Sequence, residues 1–188
     1  MNVAQRHPAE ETGGPDLLVA HDPDWAGEFA ALSEVYRAAL GDLALRVEHV
    51  GRTAVAGLPA KPILDIDLVI ADATAFAGAA LGTLGYSHRG DQGIAGHEVF
   101  NRADDPTPFT QPPRRWLAHH RYVCYADRRE LRRHLAFRDA LRRSPALCDR
   151  YAAIKGELAR QSGGDRKRYA LLKDSACREF VESALTAT

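Results

Sequence analysis

Two aspartates two residues apart stand inside an otherwise apolar stretch of this 188-residue chain. The stretch, residues 63–70, reads ILDIDLVI, and a strand's side-chain period of two places Asp65 and Asp67 on the same face. Their Cα atoms would lie about 6.6 Å apart, so both carboxylates can converge on divalent cations. The pair predicts a metal site, and the alternative is a structural acid pair bonded to Arg or Lys.

A turn rich in small residues precedes the acidic strand. It reads GRTAVAGLP from Gly51 to Pro59 and follows a short alternating strand at 45–50. Backbone N–H groups of such a turn can bind terminal phosphates, while two carboxylates hold Mg²⁺ ions that bridge the phosphates of a nucleotide. The combination is typical of nucleotidyl transfer.

The segment from His49 to Asp67, HVGRTAVAGLPAKPILDID, closely resembles the signature of the GrpB family, approximately H-[IV]-G-S-T-[AS]-V-P-G-L-x-A-K-P-[IV]-[IL]-D-[IL]. Further segments resemble that family in the same order along the chain. They are Trp25 with Phe29, 85–96, 119–124, 133–139, Tyr151 with Lys155, and Asp165-Arg166 with Tyr169 and Lys173. The resemblance covers about residues 16–185.

This resemblance implies an α+β, nucleotidyltransferase-like fold, with a mixed sheet and flanking helices. By analogy, Gly51, Arg52 and Thr53 line the phosphates, and Asp65 and Asp67 hold the metal. The implied cofactor is Mg²⁺ or Mn²⁺, and the implied reaction moves a nucleotidyl group from an NTP, expected to be ATP, to a small acceptor or activates a carboxylate as its acyl-nucleotide. Some family members are fused to dephospho-CoA kinase, which points to nucleotide or coenzyme A chemistry.

The chain departs from the family pattern at two positions. Arg52 stands where the pattern has serine, and Ala56 where it has proline. A guanidinium at position 52 can bind phosphate in a bidentate way, or it can block the pocket. The second hypothesis is therefore a catalytically degenerate nucleotide- or CoA-binding module that acts with a partner protein.

A three-acid site needs another carboxylate from a neighbouring strand. Glu98 is the candidate, because the strand predicted at 117–125 contains no acid. On that strand His120 is interpreted as a neutral metal ligand or general base, or alternatively as a strand-end histidine bonded to backbone. His49, just before the glycine turn, has the same two interpretations.

Three basic residues complete the predicted phosphate site. Arg138 shares a helix face with His134 at i,i+4 spacing, within a segment rich in arginine. Lys61 stands just before the acidic strand, and Lys173 lies on the last predicted helix. Each can neutralise phosphate charge, and the alternative for each is a solvated surface position.

The remaining pattern predicts how these residues are positioned. Residues 1–15 are expected to form a flexible tail, 16–126 the α/β core, and 127–188 a helical region packed on it. Apolar periodicity predicts helices at 24–40, 74–84, 130–143, 145–161 and 165–184, and strands at 45–50, 63–70, 86–88, 96–102 and 117–125.

Composition narrows the class of protein. The 25 basic and 25 acidic residues balance, and only 7% of residues are aromatic, which argues against a nucleic-acid-binding protein. No apolar window reaches about 18 residues, so neither a membrane span nor a secretory signal is expected, and the cytoplasm is the expected location. The three cysteines lack C-x-x-C spacing and are expected to be reduced thiols. The pattern leaves the oligomeric state open.

Overall fold

The computed structural model describes residues 18–71, 77–102, 106–163, 165, 168, 171–172, 176 and 180–183. The predicted tail at 1–15, most of the helix predicted at 165–184, and the individual residues Lys173 and Cys177 lie outside these described residues. The domain division at residue 126 stays a prediction.

The helices and strands of the described chain follow one another in the order that the sequence predicts. The helices are α1 (Asp24–Leu40), α2 (Gly78–Thr83), α3 (Arg129–Arg143) and α4 (Pro145–Ser162). The strands are β1 (Arg46–Val50), β2 (Ile63–Ile70), β3 (Tyr86–His88), β4 (His97–Arg102) and β5 (Ala118–Tyr125). Predicted and observed ends agree within one residue, except at α2, where the predicted residues 74–76 lie outside the described ranges.

The strands form one mixed sheet in the order β1-β2-β5-β4-β3. The strands β2 and β5 pair in parallel, and all other neighbours pair antiparallel. The acidic strand β2 is therefore an interior strand of the sheet, as its apolar residues on both faces predict. This confirms the predicted α+β fold with a mixed sheet and flanking helices.

One face of the sheet, here called the core face, packs against α1 and α2. From β2 it presents Leu64, Ile66, Leu68 and Ile70, which are fully buried. The helix α1 meets it because its apolar side chains recur every three to four residues. The helical side of this core comprises Trp25, Leu32, Tyr36, Leu40 and Leu81.

The opposite face, here called the site face, carries Asp65 and Asp67 and is partly covered by α3. Leu131 of α3 packs against Val69 and Cys124 in a small apolar cluster. Because α3 lies on this face, some of its polar side chains approach the β2 carboxylates. The fold thus places one aspartate under a helix.

The glycine turn is held by a second apolar cluster. Val55 and Leu58 of the turn pack with Leu141 of α3, Tyr151 of α4 and Phe180. The Ser144 hydroxyl caps α4 by accepting a hydrogen bond from the Leu147 N–H at 3.2 Å. None of the helices within the described ranges is long and apolar enough to cross a membrane.

Candidate functional site

The glycine turn lies directly against Asp65. Gly51 has φ +71, a conformation that disfavours side chains, and a Cβ there would lie 2.1 Å from Asp65 Oδ2. Asp65 is half-buried and lies opposite Val50 of β1 and His120 of β5. The structure therefore brings together the predicted turn, the first predicted acid and His120.

The residues that flank the turn are locked into the fold by hydrogen bonds. The Thr53 hydroxyl donates to the Ile63 carbonyl at 3.3 Å, so it accepts from His49 Nε2 at 3.0 Å. The His49 ring stacks on Phe29, and burial lowers its pKa to about 4. Both side chains stabilise the turn internally, so the Thr53 hydroxyl is not directed at a phosphate.

Arg52 lines a small cavity beside the turn, here called the turn pocket. Its volume is about 130 Å³, and its lining consists of Leu18, Arg52, Leu58, Pro59, Tyr151, Ala152 and Lys155. The two cationic side chains border an otherwise largely apolar wall. Among the residues that the structure describes, no acceptor contacts the Arg52 guanidinium. Arg52 thus remains available to an anion.

Asp67 follows Asp65 by two residues in β2. It lies beneath α3 and is fully buried. Its Oδ2 is 2.8 Å from His134 Nδ1, and His134 Nε2 lies 3.5 Å from Glu130 Oε1. Burial alone would lower the pKa of His134, but its hydrogen bonds to the two carboxylates outweigh burial and raise that pKa to about 10. The same contact lowers the pKa of Glu130 to about 2. His134 is therefore a cation between two carboxylates at neutral pH.

His97, the first residue of β4, completes this buried group. Its ring stacks on Tyr122 with centroids 4.3 Å apart and meets the His134 ring edge-on at 5.6 Å. Burial, and then the His134 charge, lower the pKa of His97, so its imidazole is neutral. Asp67, His97 and His134, which we call the Asp67 cluster, offer ligand atoms that all lie within 4.8 Å of one another.

The structure separates Glu98 from the acid pair. In β4 it is His97 that pairs with Cys124 on the site face, and Glu98 pairs with Val123 of the core face. Glu98 Oε2 instead contacts His88 Nε2 at 2.7 Å. The predicted metal set of Asp65, Asp67 and Glu98 is therefore not assembled, because adjacent residues of a strand point to opposite faces.

Arg138 faces the site side of the sheet, as its spacing with His134 predicts, but its guanidinium is engaged. It donates to Glu48 Oε2 at 2.8 Å, to the His49 carbonyl at 3.0 Å and, through Nε, to Asp139 Oδ1 at 2.8 Å. Only 11% of the side chain is exposed. Arg138 fastens α3 to β1, so the structure gives no support to its predicted phosphate role.

Three predicted contributors remain, namely Lys61, His120 and Lys173. Lys61 lies just before β2, at the end of the sheet where the glycine turn begins, and His120 is half-buried beside Asp65. Lys173 lies outside the described residues. For Lys61 and His120, the phosphate and metal roles stay predictions.

Mg²⁺ is bound in proteins by one or two carboxylates together with substrate phosphates and water. Asp65 is the half-buried carboxylate that such an ion can reach, while one oxygen of Asp67 is occupied by His134. Of the two predicted metal ligands, Asp65 is therefore the more exposed to a nucleotide-bound Mg²⁺. The magnesium expectation stays a prediction centred on Asp65.

Two residues of the Asp67 cluster are absent from the site that the sequence predicts. The sequence marks His134 only as a helical neighbour of Arg138, and no sequence signal links it to a carboxylate that precedes it by 67 residues. His97 stands next to the predicted Glu98, and the register of β4 alone decides which of the two faces Asp67.

Comparisons with known proteins agree with this architecture. The "GrpB protein" family pattern matches residues 17–183. A UPF0157 protein of Halalkalibacterium halodurans is 34% identical over 171 residues, which cover 89% of this chain and 81% of that protein. A UPF0157 protein of Pseudomonas aeruginosa is 36% identical over 170 residues, which cover 89% of this chain and 66% of that protein.

Two further relatives widen the comparison. The crystal structure of the conserved protein GrpB from Enterococcus faecalis superimposes with a TM-score of 0.72 at 26% identity, covering 90% of this chain and 98% of that one. A dephospho-CoA kinase of Mycobacterium tuberculosis is 29% identical in a gapped alignment 199 positions long, which covers 92% of this chain but 46% of the kinase. With the family pattern matched over nearly its whole length, the chain belongs to the GrpB family.

Proposed function

We propose that this protein binds a phosphate-bearing nucleotide or coenzyme at the turn pocket. The observation that carries the proposal is the pocket itself, in which Arg52 and Lys155 border an apolar wall next to the turn in which Gly51 adopts φ +71. Two cationic side chains in a partly enclosed cavity suit an anionic group, and the guanidinium of Arg52 can bind a phosphate in a bidentate way.

The size of the turn pocket limits what it can hold. Nucleotide-sized ligands occupy pockets of about 300–1,000 Å³, whereas this cavity measures about 130 Å³. It therefore suits a phosphate group and its immediate neighbours, with the rest of the ligand outside the cavity. The dephospho-CoA kinase relative supports coenzyme A and adenine nucleotides as the first ligands to test.

Mg²⁺-dependent nucleotidyl transfer from an NTP, with ATP tested first, is the second candidate function. It is favoured by the contact between Gly51 and Asp65, which puts a half-buried carboxylate beside the expected phosphates. Against a two-metal reaction stands the hydrogen bond that occupies Asp67 Oδ2. The geometry therefore supports phosphate binding more strongly than turnover.

The test is ligand-induced thermal stabilisation of the wild type and of Arg52→Ala with each NTP and with CoA, in Mg²⁺, Mn²⁺ or EDTA. A ligand at 100 times its Kd stabilises the folded state by about 2.7 kcal/mol. We expect stabilisation by at least one ligand that Arg52→Ala loses. Arg89→Ala, at an exposed position between β3 and β4, is the matched control and should respond like the wild type.

Two outcomes would overturn parts of this proposal. No stabilisation by any nucleotide or by CoA would remove the ligand class, and equal stabilisation of Arg52→Ala would remove the turn pocket. Turnover is measured separately as NTP consumption. If NTP is consumed with Mg²⁺ and Asp65→Asn abolishes this without loss of binding, the transferase replaces the binding module as the better description.

A further inference from the structure

The Asp67 cluster has no role in the proposed phosphate site. We propose that Asp67, His97 and His134 bind one divalent first-row transition metal ion, for which Zn²⁺ is the representative. Their ligand atoms already lie within 4.8 Å of one another. The inference goes beyond the proposed function, because it concerns side chains at the contact of α3 with the sheet and requires no nucleotide.

The first argument is the unsatisfied polar atoms. Buried nitrogen and oxygen atoms nearly always have a hydrogen-bond partner. Yet both ring nitrogens of His97 have none within the described part of the chain, and Asp67 Oδ1 has at most the weak S–H donor of Cys124. Asp67 is fully buried and His97 is 6% exposed, so bulk water does not satisfy them. A metal ion bound between these side chains would supply a strong partner for Asp67 and for one of the two ring nitrogens of His97.

The second argument is the chemistry of the donor set. Two imidazoles and one carboxylate are the ligands that Zn²⁺ and other borderline metals take, and three protein ligands leave a further position for water. Ca²⁺ and Mg²⁺ prefer oxygen ligands alone, so this set disfavours them. The same set with open positions also binds Fe²⁺.

The third argument is that the ligands are held in place. The His97 ring is stacked on Tyr122, and Gly96 before it has φ +77, where any Cβ would lie 2.6 Å from Arg128 Cγ. Glu130 lies 3.5 Å from His134 Nε2, as the outer carboxylates of metal-bound histidines do. The side chain of His134 is 29% exposed, which gives an ion a path from solvent.

Binding needs a modest rearrangement. In a tetrahedral site with bonds of about 2.0 Å, ligand atoms lie about 3.3 Å apart. The distances between the ligand atoms of the three side chains must therefore shorten by up to about 1.5 Å. If the ion takes the Nδ1 of His134, it replaces the proton now shared with Asp67 Oδ2, and that proton leaves to solvent.

The experiment is a titration of the purified full chain, stripped with a chelator, with Zn²⁺ in competition with a chromogenic chelator and without nucleotide. We expect one Zn²⁺ per chain with a Kd of about 1 µM or below. Co²⁺ provides a second readout, because its visible absorption reports four- or five-coordinate nitrogen and oxygen ligation. Fe²⁺, titrated anaerobically, identifies which transition metal binds best.

The matched variants separate ligation from folding. His97→Gln and Asp67→Asn should weaken Zn²⁺ binding by more than the roughly 10–100-fold that losing an outer partner costs, and Glu130→Gln by about that amount. His88→Gln, a histidine in β3 of the same sheet that contacts Glu98, should bind as the wild type does. Circular dichroism establishes that each variant is folded.

The result that would overturn the inference is the absence of stoichiometric Zn²⁺, Co²⁺ or Fe²⁺ binding by the folded wild type. Unchanged affinity in folded His97→Gln would overturn it equally, because binding would then occur elsewhere. Neither result bears on phosphate binding at Arg52, so failure of one site is distinguishable from failure of the other.

Discussion

Asp65 and Asp67 lie on the same face of the same strand, yet their surroundings differ sharply. Asp65 is half-buried against the glycine turn at Gly51, and the next residue of the turn, Arg52, lines the turn pocket. Asp67 is fully buried and ion-paired to His134 beneath α3. Two residues along β2 thus separate the accessible region, in which we propose phosphate binding, from the enclosed Asp67 cluster, in which we propose a metal ion. The position of the covering helix decides the chemistry of each carboxylate.

Replacing each aspartate by alanine tests whether the two different surroundings also differ in their contribution to stability. Asp67→Ala should lower the free energy of unfolding by about 3 kcal/mol, because it removes one partner of a buried ion pair and leaves His134 between α3 and β2 with Glu130 alone. Asp65→Ala should cost less, because Asp65 is half-buried whereas Asp67 is fully buried. Urea unfolding in the presence of a chelator measures both, and equal losses would contradict the contrast.

Gly51→Ala should cost about 2–3 kcal/mol, the sum of an unfavourable positive φ and a clash with Asp65 Oδ2. Gly57→Ala is the matched control, since Gly57 has φ +78 but a Cβ added there would meet nothing within 4 Å, so it should cost about 1 kcal/mol. Adding Asp65→Ala to Gly51→Ala should restore the part of the unfolding free energy that the clash with Asp65 removes. If all three variants behave alike, the close approach of the turn to Asp65 is energetically unimportant.

The turn region should also respond to acid through His49. Its folded-state pKa of about 4 lies below the ordinary 6.5, so protons favour the unfolded chain. The contribution of His49 to the free energy of unfolding is fully present above pH 6.5. It falls as the pH drops towards 4, by about 1.4 kcal/mol per pH unit. His49→Phe, which keeps a ring against Phe29 and does not titrate, should show a shallower fall. An identical pH profile of the melting temperature would exclude His49 as the cause.

The smallest expected effect separates two arginines next to the same turn. Arg142 Nε donates to the Ala54 carbonyl at 2.9 Å, so Arg142→Ala should cost about 1 kcal/mol. Arg52→Ala should change stability by less than about 0.5 kcal/mol, since Arg52 faces the turn pocket. Chemical unfolding of both variants without ligand tests this, and a larger loss in Arg52→Ala would make that residue structural.

The local pattern of this sequence predicted the elements and much of the accessible region. Strand alternation placed Asp65 and Asp67 on one face, and the family resemblance placed the glycine turn before them. The Asp67 cluster could not be predicted in the same way. Whether His97 or Glu98 faces Asp67 depends on a one-residue register between β4 and β5, and the approach of His134 depends on how α3 docks on the sheet. Both features depend on tertiary contacts, which the local spacing of residues does not encode.

The distance in sequence between Asp67 and His134 has a consequence for how the chain folds. During synthesis, β2 is complete long before its parallel neighbour β5 and the helix α3 have emerged, since His134 follows Asp67 by 67 residues. Until then, an eight-residue strand of high β-propensity is exposed to other chains. The two negative charges interrupt its apolar run, and charges in such a strand oppose its aggregation.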